Sequence, residues 1–272
     1  MLYLVGTPIG NVEDKSPRAC EVLKSVDVIA CEDTRVTGIL LSQLGITGKR
    51  LIAYHEHNKA ASGNGIIDML KDGLNVAEVS DAGMPAISDP GADLASLAAE
   101  NGIEVSVIPG PSAVTAALSI SGLDTRYFHF EGFLPSEGSK RRERLKSLTL
   151  IGETIVLYEA PHRLKKLLDE LVEYGFSDRR IALCRELTKK YEEVLRMSVS
   201  ESVKYYKTNE PRGEFCLCLE PLEQKTMVEA GDGTALIALL KEKGMSSKDI
   251  SSVVSEYTGM NKKEAYKIAS EM

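Results

Sequence analysis

The sequence predicts an α/β protein with two main domains and a small helical appendage. In the first half, short apolar runs alternate with helical patterns, as in βαβ units with a mainly parallel sheet. After Gly122 the chain becomes more basic, and its strands and helices suggest a mixed sheet. We therefore predict an N-terminal domain over 1–123, a second domain over 124–222, and a linker with a helical appendage over 223–272.

The expected strands are short runs rich in β-branched and apolar residues. They lie at Leu2–Val5, Val26–Ile29, Leu51–Tyr54, Val76–Ser80, Val105–Ile108, Phe128–Glu131, Ile155–Tyr158, Ile181–Arg185, Val194–Ser198 and Phe215–Leu219. The expected helices carry apolar residues at three- and four-residue spacing. They lie at Ser16–Lys24, Thr37–Leu44, Lys59–Lys71, Ala92–Ala99, Lys140–Leu148, Leu164–Tyr174, Thr234–Lys243, Lys248–Tyr257 and Lys262–Glu271, with a further helix beginning near Ser112.

Composition is that of an ordinary enzyme, with 43% hydrophobic and 27% charged residues among 272. The N-terminal sequence has neither a basic region nor a long apolar run, so we expect a cytoplasmic protein without a signal peptide or membrane span. Its five cysteines show no C-x-x-C spacing, so we predict no disulfide and no metal site. Cys216 and Cys218 should share one face of a buried strand.

The net charge of −7 is unevenly distributed along the chain. Residues 1–124 hold 8 basic and 16 acidic side chains, whereas residues 125–222 hold 18 basic and 16 acidic ones. Any polyanion should therefore bind locally, and the best candidate surface is the basic run GSKRRERLK. The alternative is a helix face that simply contacts water.

Segments with glycine, proline and charged residues follow several predicted strands, at the strand ends where open α/β sheets bind ligands. They are GTPIGN (6–11), CEDTR (31–35), YHEHN (54–58), SDAGMPAISDPG (80–91) and VIPGPSAV (107–114). SDAGMPAISDPG is the strongest, because two glycines and two prolines should make a rigid loop whose backbone a ligand can approach closely; the alternative is a tight connection without a ligand. In VIPGPSAV, we expect Ser112 to begin a helix whose free amides can face a polar ligand. Neither a G-x-G-x-x-G fingerprint nor a Walker A loop is present in the expected context.

Nine segments in a fixed order carry a family resemblance over residues 2–215. They are LYLVGTPIGN, CEDTR, HEHN, SDAGMPAISDPG, VIPGPSA, EGFLP, YEAPHRL, RELTKKYEEV and PRGEF. Together they closely resemble the ribosomal RNA small subunit methyltransferase I family. The resemblance implies the two-domain tetrapyrrole-methylase fold, a homodimer, S-adenosylmethionine bound in a cleft, and methylation of a cytidine ribose 2′-hydroxyl in the decoding region of small-subunit rRNA.

The resemblance also implies which residues contact S-adenosylmethionine. Carried onto this sequence, they are Pro8, Ser80, Asp81, Gly83, Ile87, Ser112, Ala113, Tyr158 and Glu159. The loop departs from the shorter Gly-Asp-Pro form of tetrapyrrole enzymes, which puts Gly83 in doubt. Gly213 in PRGEF is a further candidate for cofactor contact, with a turn before a strand as the equal alternative.

A base near the 2′-hydroxyl should assist methyl transfer, and no metal is required. We expect Asp33 or His57 in this role. Helix capping or an ion pair with Arg35 is the alternative for Asp33, and RNA contact or a structural role is the alternative for His57.

RNA contact requires donors for phosphate and for the 2′-hydroxyl. The candidates are Arg35, Asn58, Arg141, Arg142, Arg144, His162 and Arg163. The expected partner is small-subunit rRNA or the assembled small ribosomal subunit.

Two other functions remain open from the sequence. The chain could methylate a tetrapyrrole, since one fold serves several chemistries, or it could be a ribosome-associated binding module that has lost activity. The C-terminal appendage suits a dimer element, an RNA-binding element or a cap.

Overall fold

The computed structural model describes residues 1–88, 91–222 and 233–272. Residues 89–90, near the end of the SDAGMPAISDPG segment, and the predicted linker over 223–232 lie outside the described residues. The described chain forms two separate units, one over Met1–Leu222 and one within Glu223–Met272. Among the described residues, no helix is long and apolar enough to cross a membrane.

The first sheet is entirely parallel and has the strand order β3-β2-β4-β1-β5. Its strands are β1 (Leu2–Val5), β2 (Val28–Cys31), β3 (Arg50–Ala53), β4 (Val76–Val79) and β5 (Val105–Ile108). Successive side chains of β2 pack into two different hydrophobic clusters, with Ile29 in one and Ala30 in the other. Burial on both faces is the usual state of a parallel sheet, and it explains why its strands are continuously apolar.

Five helices connect these strands or follow them. They are α1 (Pro17–Ser25), α2 (Thr34–Gln43), α3 (Lys59–Lys71), α4 (Gly91–Glu100) and α5 (Ala113–Ser121). Capping side chains fix two of the starts: Ser16 Oγ accepts from the Ala19 N–H before α1, and Asp33 accepts from the Arg35 N–H before α2. The first half of the chain is therefore the predicted series of βαβ units.

The second sheet is mixed and has the order β6-β7-β10-β8-β9. Its strands are β6 (Phe128–Phe133), β7 (Thr154–Glu159), β8 (Arg180–Arg185), β9 (Glu193–Ser198) and β10 (Phe215–Leu219). Only β6 and β7 pair in parallel, and the other neighbours pair antiparallel. Cys216 and Cys218 are buried in one cluster while Phe215, Leu217 and Leu219 lie in another, which confirms the predicted core position of both cysteines.

Three helices accompany the second sheet: α6 (Gly138–Leu148), α7 (Pro161–Glu173) and α8 (Val199–Thr208). The predicted elements of the chain agree with the observed ones to within three residues at each end, but α8 is missing from the prediction. Ser198 and Glu201 form a capping box at its start. That signature was present in the sequence as Ser-Val-Ser-Glu.

The second unit contains the helices α9 (Gly233–Glu242), α10 (Ser247–Thr258) and α11 (Lys262–Glu271). Ile237, Ile250, Val254, Ala265 and Ala269 form its own hydrophobic cluster. Ser246 caps α10 and Asn261 caps α11, each by accepting a backbone N–H. The predicted three-helix appendage is therefore present within the described part of 223–272.

Candidate active site

The loops after β1 and β4 are joined by backbone hydrogen bonds. The Thr7 N–H donates to Gly83 O over 2.8 Å, and the Gly83 N–H donates to Thr7 O over 3.2 Å. Thr7 is also buried. Because β1 and β4 are neighbours, their carboxyl ends bring these two loops to one edge of the sheet.

The loop after β5 joins the same edge through a close approach of two glycines. A Cβ atom on Gly6 would lie 2.6 Å from Gly110 Cα, and one on Gly110 would lie 2.8 Å from Gly6 C. The Gly110 N–H also contacts Met84 Sδ at 3.1 Å. Only glycine fits at both positions, so these two residues allow the loops after β1, β4 and β5 to meet.

A cavity of about 410 Å³ opens beside these loops. Its volume is within the range of small-molecule sites. The loops and β7, β8 and β10 all contribute to its wall. The lining residues are Ile9, Glu32, Ser80, Asp81, Ala82, Gly83, Met84, Ile87, Ser88, Ser112, Ala113, Phe133, Tyr158, Glu159, Ala160, Pro161, Cys184, Leu187, Glu214, Phe215 and Cys216.

The charged side chains of the cavity wall are all acidic in the part of the chain that the structure describes. Glu32, Asp81, Glu159 and Glu214 line it, and no lysine, arginine or histidine does. Burial raises the pKa of Asp81 even though its carboxylate accepts the Asp33 N–H at 3.1 Å. Glu159 and Glu214 are paired with Arg163 and Lys189, which do not line the cavity. The preference of the wall for a cationic ligand over a phosphate therefore rests on Glu32 and Asp81.

Glu159 is held at the cavity by a buried charge network. Its side chain is 0% exposed, Oε1 lies 3.0 Å from Arg163 Nε, and the Arg141 guanidinium is 3.8 Å from Oε2. Burial nevertheless raises the pKa of Glu159, with the Ala160 N–H and both arginines opposing this effect. Within the described residues Oε2 has no hydrogen-bond partner, and the carboxylate is closed to solvent with the Arg141 guanidinium as its neighbour.

Left-handed backbone flanks two of the lining residues. Ala86 and Ser88 have φ of 69° and 65° on either side of Ile87, and Glu186 and Thr188 have φ of 51° and 64° on either side of Leu187. Such conformations are uncommon for residues other than glycine and cluster at ligand sites. Ile87 and Leu187 are therefore presented by two constrained turns.

Comparisons with known proteins agree with this architecture. Residues 1–202 match the family described as Tetrapyrrole (Corrin/Porphyrin) Methylases. The ribosomal RNA small subunit methyltransferase I of Synechocystis sp. is 42% identical over 275 residues, covering 100% of this chain and 98% of that protein. The protein of the same name in Bacillus subtilis is 49% identical over 220 residues, covering 81% and 75% respectively.

The chain belongs to the ribosomal RNA small subunit methyltransferase I family. Among solved structures, the uroporphyrin-III C-methyltransferase of Thermus thermophilus complexed with S-adenyl homocysteine superposes with a TM-score of 0.57. That match covers 80% of this chain and 96% of the other, at 18% identity. At this identity the likeness concerns the fold, which is the tetrapyrrole-methylase fold that the resemblance implied.

Eight of the predicted cofactor residues of this family member lie together in the cavity wall. They are Ser80, Asp81, Gly83, Ile87, Ser112, Ala113, Tyr158 and Glu159. Pro8 is not part of the wall, and its neighbour Ile9 takes that place. Contact of these residues with a cofactor stays a prediction.

Gly213 does not line the cavity either, which favours the alternative of a turn before a strand. Its φ is +82°, and a Cβ atom there would lie 2.6 Å from Glu186 Cγ. The next residue, Glu214, donates its N–H to Glu186 Oε1 over 3.0 Å. Gly213 therefore makes room for a side chain that stabilises the turn before β10.

The two predicted catalytic residues lie outside the cavity wall. Asp33 caps α2 and pairs with Arg35 at 2.6 Å, and its bonds to the Arg35 side chain and backbone lower the pKa of Asp33 to about 2. A carboxylate with so low a pKa is a weak base. His57 is exposed, with its ring 6.1 Å from that of His55. The geometry thus supports the capping and ion-pair alternatives for Asp33.

Three of the predicted RNA contacts are engaged within the protein, which disfavours them as RNA ligands, and their contact with RNA stays a prediction. The Arg141 side chain is 2% exposed and pairs with Glu170 at 2.6 Å, so it cannot reach a phosphate. Asn58 uses both ends of its amide, since Oδ1 accepts the His55 N–H and Nδ2 donates to Ala53 O. Arg163 donates to Leu134 O and contacts Glu159, so its guanidinium is also engaged.

The other predicted RNA contacts remain at the surface. Arg142 and His162 are exposed, and the Arg35 side chain is 87% exposed although it pairs with Asp33. Arg144 is partly exposed but donates two hydrogen bonds to Glu131. RNA contact by these residues stays a prediction, and Arg144 would have to leave its carboxylate to make it.

The cavity also contains residues that the sequence did not indicate as ligands. The main ones are Ile9, Phe133, Leu187, Phe215 and Cys184. Phe133 belongs to the EGFLP segment and Leu187 to RELTKKYEEV, so both lay in segments that carried the resemblance without a role. Only the three-dimensional meeting of strands from both sheets reveals them.

Proposed function

We propose that this chain transfers a methyl group from S-adenosylmethionine to the 2′-hydroxyl of a cytidine in the decoding region of small-subunit rRNA. The observation that carries the proposal is the acidic, partly aromatic wall of the cavity, which has no cationic side chain among the residues described. S-adenosylmethionine carries a positive sulfonium at its reacting centre. Carboxylates together with the rings of Tyr158 and Phe215 stabilise such a cation.

The residues present suit this cofactor in two ways. The contact between Gly6 and Gly110 holds the loops after β1 and β5 together, and Ile9, Ser112 and Ala113 beside these loops line the cavity. The side chain of Ser112 does not cap α5, so the Ala113 N–H at the start of that helix is available to a carboxylate, whereas the Val114 N–H bonds Tyr158. The cofactor supplies an electrophilic methyl group when bound, and the protein supplies the positions of the other groups.

Asp81 is the residue that we assign as proton acceptor for the ribose hydroxyl. It lines the cavity, and one carboxylate oxygen is fixed by the Asp33 N–H. Its pKa is raised by burial, which makes it a better base than Asp33. Positioning the hydroxyl beside this carboxylate would contribute roughly 10²- to 10⁴-fold to the rate.

Support for an RNA substrate comes from the family and from the surface. Relatives at 42% and 49% identity are named ribosomal RNA small subunit methyltransferase I, whereas the tetrapyrrole enzyme described above is 18% identical. Lys140, Arg142 and Lys146 are exposed on α6, which directly follows β6 and its cavity residue Phe133. This places a basic helix next in sequence to the cavity wall.

The finer features of the proposal follow the same reasoning. We infer a homodimer that acts in the cytoplasm on rRNA or on the assembled small subunit. We also infer that 1–123 and 124–222 act as two domains with the cavity between them, because each sheet draws its strands from only one of these segments. Sedimentation of the purified protein at micromolar concentration measures the oligomeric state.

The decisive experiment is methyl transfer from labelled S-adenosylmethionine to small ribosomal subunits from cells that lack the protein. Uroporphyrinogen III serves as the competing acceptor, and mass spectrometry of rRNA fragments maps the modified nucleotide. We expect label on one cytidine ribose. Label on the tetrapyrrole alone would overturn the proposal, and a protein that neither transfers methyl nor binds S-adenosylmethionine by calorimetry would be a binding module.

A further inference from the structure

Phe133 is an aromatic side chain at the cavity to which the proposed function gives no task. It lines the cavity, yet it is 54% exposed. Its ring centroid lies 5.4 Å from that of Tyr158, which in turn lies 5.1 Å from Phe130. The lining residues Tyr158 and Phe133 therefore form a row of three aromatic rings with Phe130, and the Phe133 end of this row is open to solvent.

A β-bulge in β6 brings Phe133 to this position. Phe130 pairs with Val156, and Phe133 pairs with Tyr158. Phe130 and Phe133 are three positions apart on β6, whereas their partners are two positions apart on β7. Because side chains alternate along a strand, regular pairing would place Phe133 on the face opposite Phe130. Bulges next to active sites commonly redirect a side chain in this way.

The bulge is also fixed against the loop that follows β4. Gly132 has a φ of +70°, and a Cβ atom there would lie 2.8 Å from Ser88 Oγ. Ser88 is itself in the left-handed region and lines the cavity with Ile87. The direction of Phe133 is thus determined by contact between β6 and the Ser80–Ser88 loop.

We propose that the base of the target nucleotide stacks on Phe133 while its ribose enters the cavity. This inference rests on the proposed function, because it names the part of the RNA that the same site holds. The Glu32 and Asp81 carboxylates of the wall disfavour phosphate, and no cationic side chain lines it in the described chain, so a neutral base and ribose are the parts of a nucleotide that suit it. Stacking an unpaired base on an exposed aromatic ring is a common way to hold a single nucleotide.

The rival occupant of Phe133 is the adenine ring of the cofactor, and tryptophan fluorescence separates the two. The chain contains no tryptophan, so Phe133→Trp gives a protein with a single reporter. The control is Phe128→Trp at the other end of β6, where the residue is also exposed but does not line the cavity. The probes are S-adenosylhomocysteine, a decoding-region RNA hairpin, and the same hairpin with the target base removed.

We expect the hairpin to quench Phe133→Trp in the presence of S-adenosylhomocysteine, and the abasic hairpin to quench it much less. Phe128→Trp should respond to neither RNA. Quenching by S-adenosylhomocysteine alone, with no further change when RNA is added, would assign Phe133 to the cofactor. Equal quenching by the two hairpins would show that the base does not stack there.

Turnover supplies the second measurement. Phe133→Ala should lower kcat/KM for small subunits roughly tenfold, Phe133→Tyr should retain it, and the dissociation constant for S-adenosylmethionine should stay unchanged. Phe128→Ala is the matched control with normal turnover. If the unmodified protein transfers methyl and Phe133→Ala equals it, the stacking inference is wrong while the function stands. If the unmodified protein transfers none, the proposed function fails, and the fluorescence arms still decide base stacking.

Discussion

The backbone of Gly6 packs directly against the backbone of Gly110, so that a Cβ atom added to Gly6 would lie only 2.6 Å from Gly110 Cα. This contact joins the loops after β1 and β5 beside Met84. We expect Gly110→Ala to separate these loops and to lower the affinity for S-adenosylmethionine at least about tenfold. Isothermal titration calorimetry measures the affinity, and thermal melting reports whether the fold survives.

Gly38 provides the matched control for this change. It lies within α2, where an added Cβ meets no atom within 4 Å. Gly38→Ala should therefore stabilise the protein by about 0.5–1 kcal/mol and leave cofactor affinity unchanged. Equal affinities for Gly110→Ala and Gly38→Ala would contradict the role given to the glycine contact.

Arg141 and Arg142 are adjacent in sequence but should behave differently when replaced. Arg141→Ala removes a buried partner of Glu170 and should lower the free energy of unfolding by on the order of 3 kcal/mol. Arg142→Gln alters an exposed side chain and should leave stability unchanged while lowering the salt slope of RNA binding by about 1. Urea unfolding and RNA binding at several salt concentrations measure the two effects. A stable Arg141→Ala protein with weakened RNA binding would reverse this assignment.

Asp33 and Asp81 allow a direct comparison of two carboxylates as catalytic base. Asp33→Asn keeps a good capping residue outside the cavity and should retain most of the turnover. Asp81→Asn should lose roughly 10²-fold or more in kcat at saturating S-adenosylmethionine. Single-turnover rates on small subunits measure both. The opposite order of activities would restore Asp33 as the base.

The raised pKa of Asp81 also predicts how stability depends on pH. A carboxyl with a folded-state pKa above its unfolded value of 3.8 stabilises the folded protein at low pH, and this contribution is lost as pH rises through the folded pKa. Asp81→Asn removes this loss of stability at high pH. The difference in Tm, variant minus original protein, should therefore be larger at pH 7 than at pH 4, as measured by calorimetric melting. A difference that does not change with pH would show that Asp81 is not perturbed.

Much of the fold followed from local patterns in the sequence. The parallel strands are continuously apolar because both faces of their sheet are buried, and capping residues such as Ser16 mark where helices begin. Helix α8 was missed because its only fully buried residues are Val199, Ser202 and Tyr206, which give a weak apolar stripe. Its Ser198–Glu201 capping box was the stronger signal.

The part of the candidate site that follows the parallel sheet was predictable from the sequence, and the part that comes from the mixed sheet was less so. The Ser80–Ser88 loop and Ser112 follow strands of a parallel sheet, where the carboxyl ends converge by rule. Phe133, Leu187 and Phe215 come from strands and turns of the mixed sheet, for which no such rule exists. The position of Phe133 depends in addition on a bulge that local sequence does not reveal.

The basic run on α6 shows the limit of charge patterns. From sequence, Arg141, Arg142 and Arg144 are equivalent members of one cluster. In the structure Arg141 pairs with Glu170, which lies 29 residues away, and Arg144 pairs with Glu131. A charge pattern reports neither the partner nor the burial of a residue, and both are decided by tertiary packing.

Strand β10 separates two compartments. Phe215, Leu217 and Leu219 belong to one hydrophobic cluster, and Cys216 and Cys218 belong to another whose members include the lining residues Cys184 and Leu187. All five residues are buried, so both faces of the strand pack against a hydrophobic cluster. Efforts to engineer a more stable variant should therefore leave this strand unchanged. A larger side chain on one face would shift the strand and disturb the packing of the cluster on its other face.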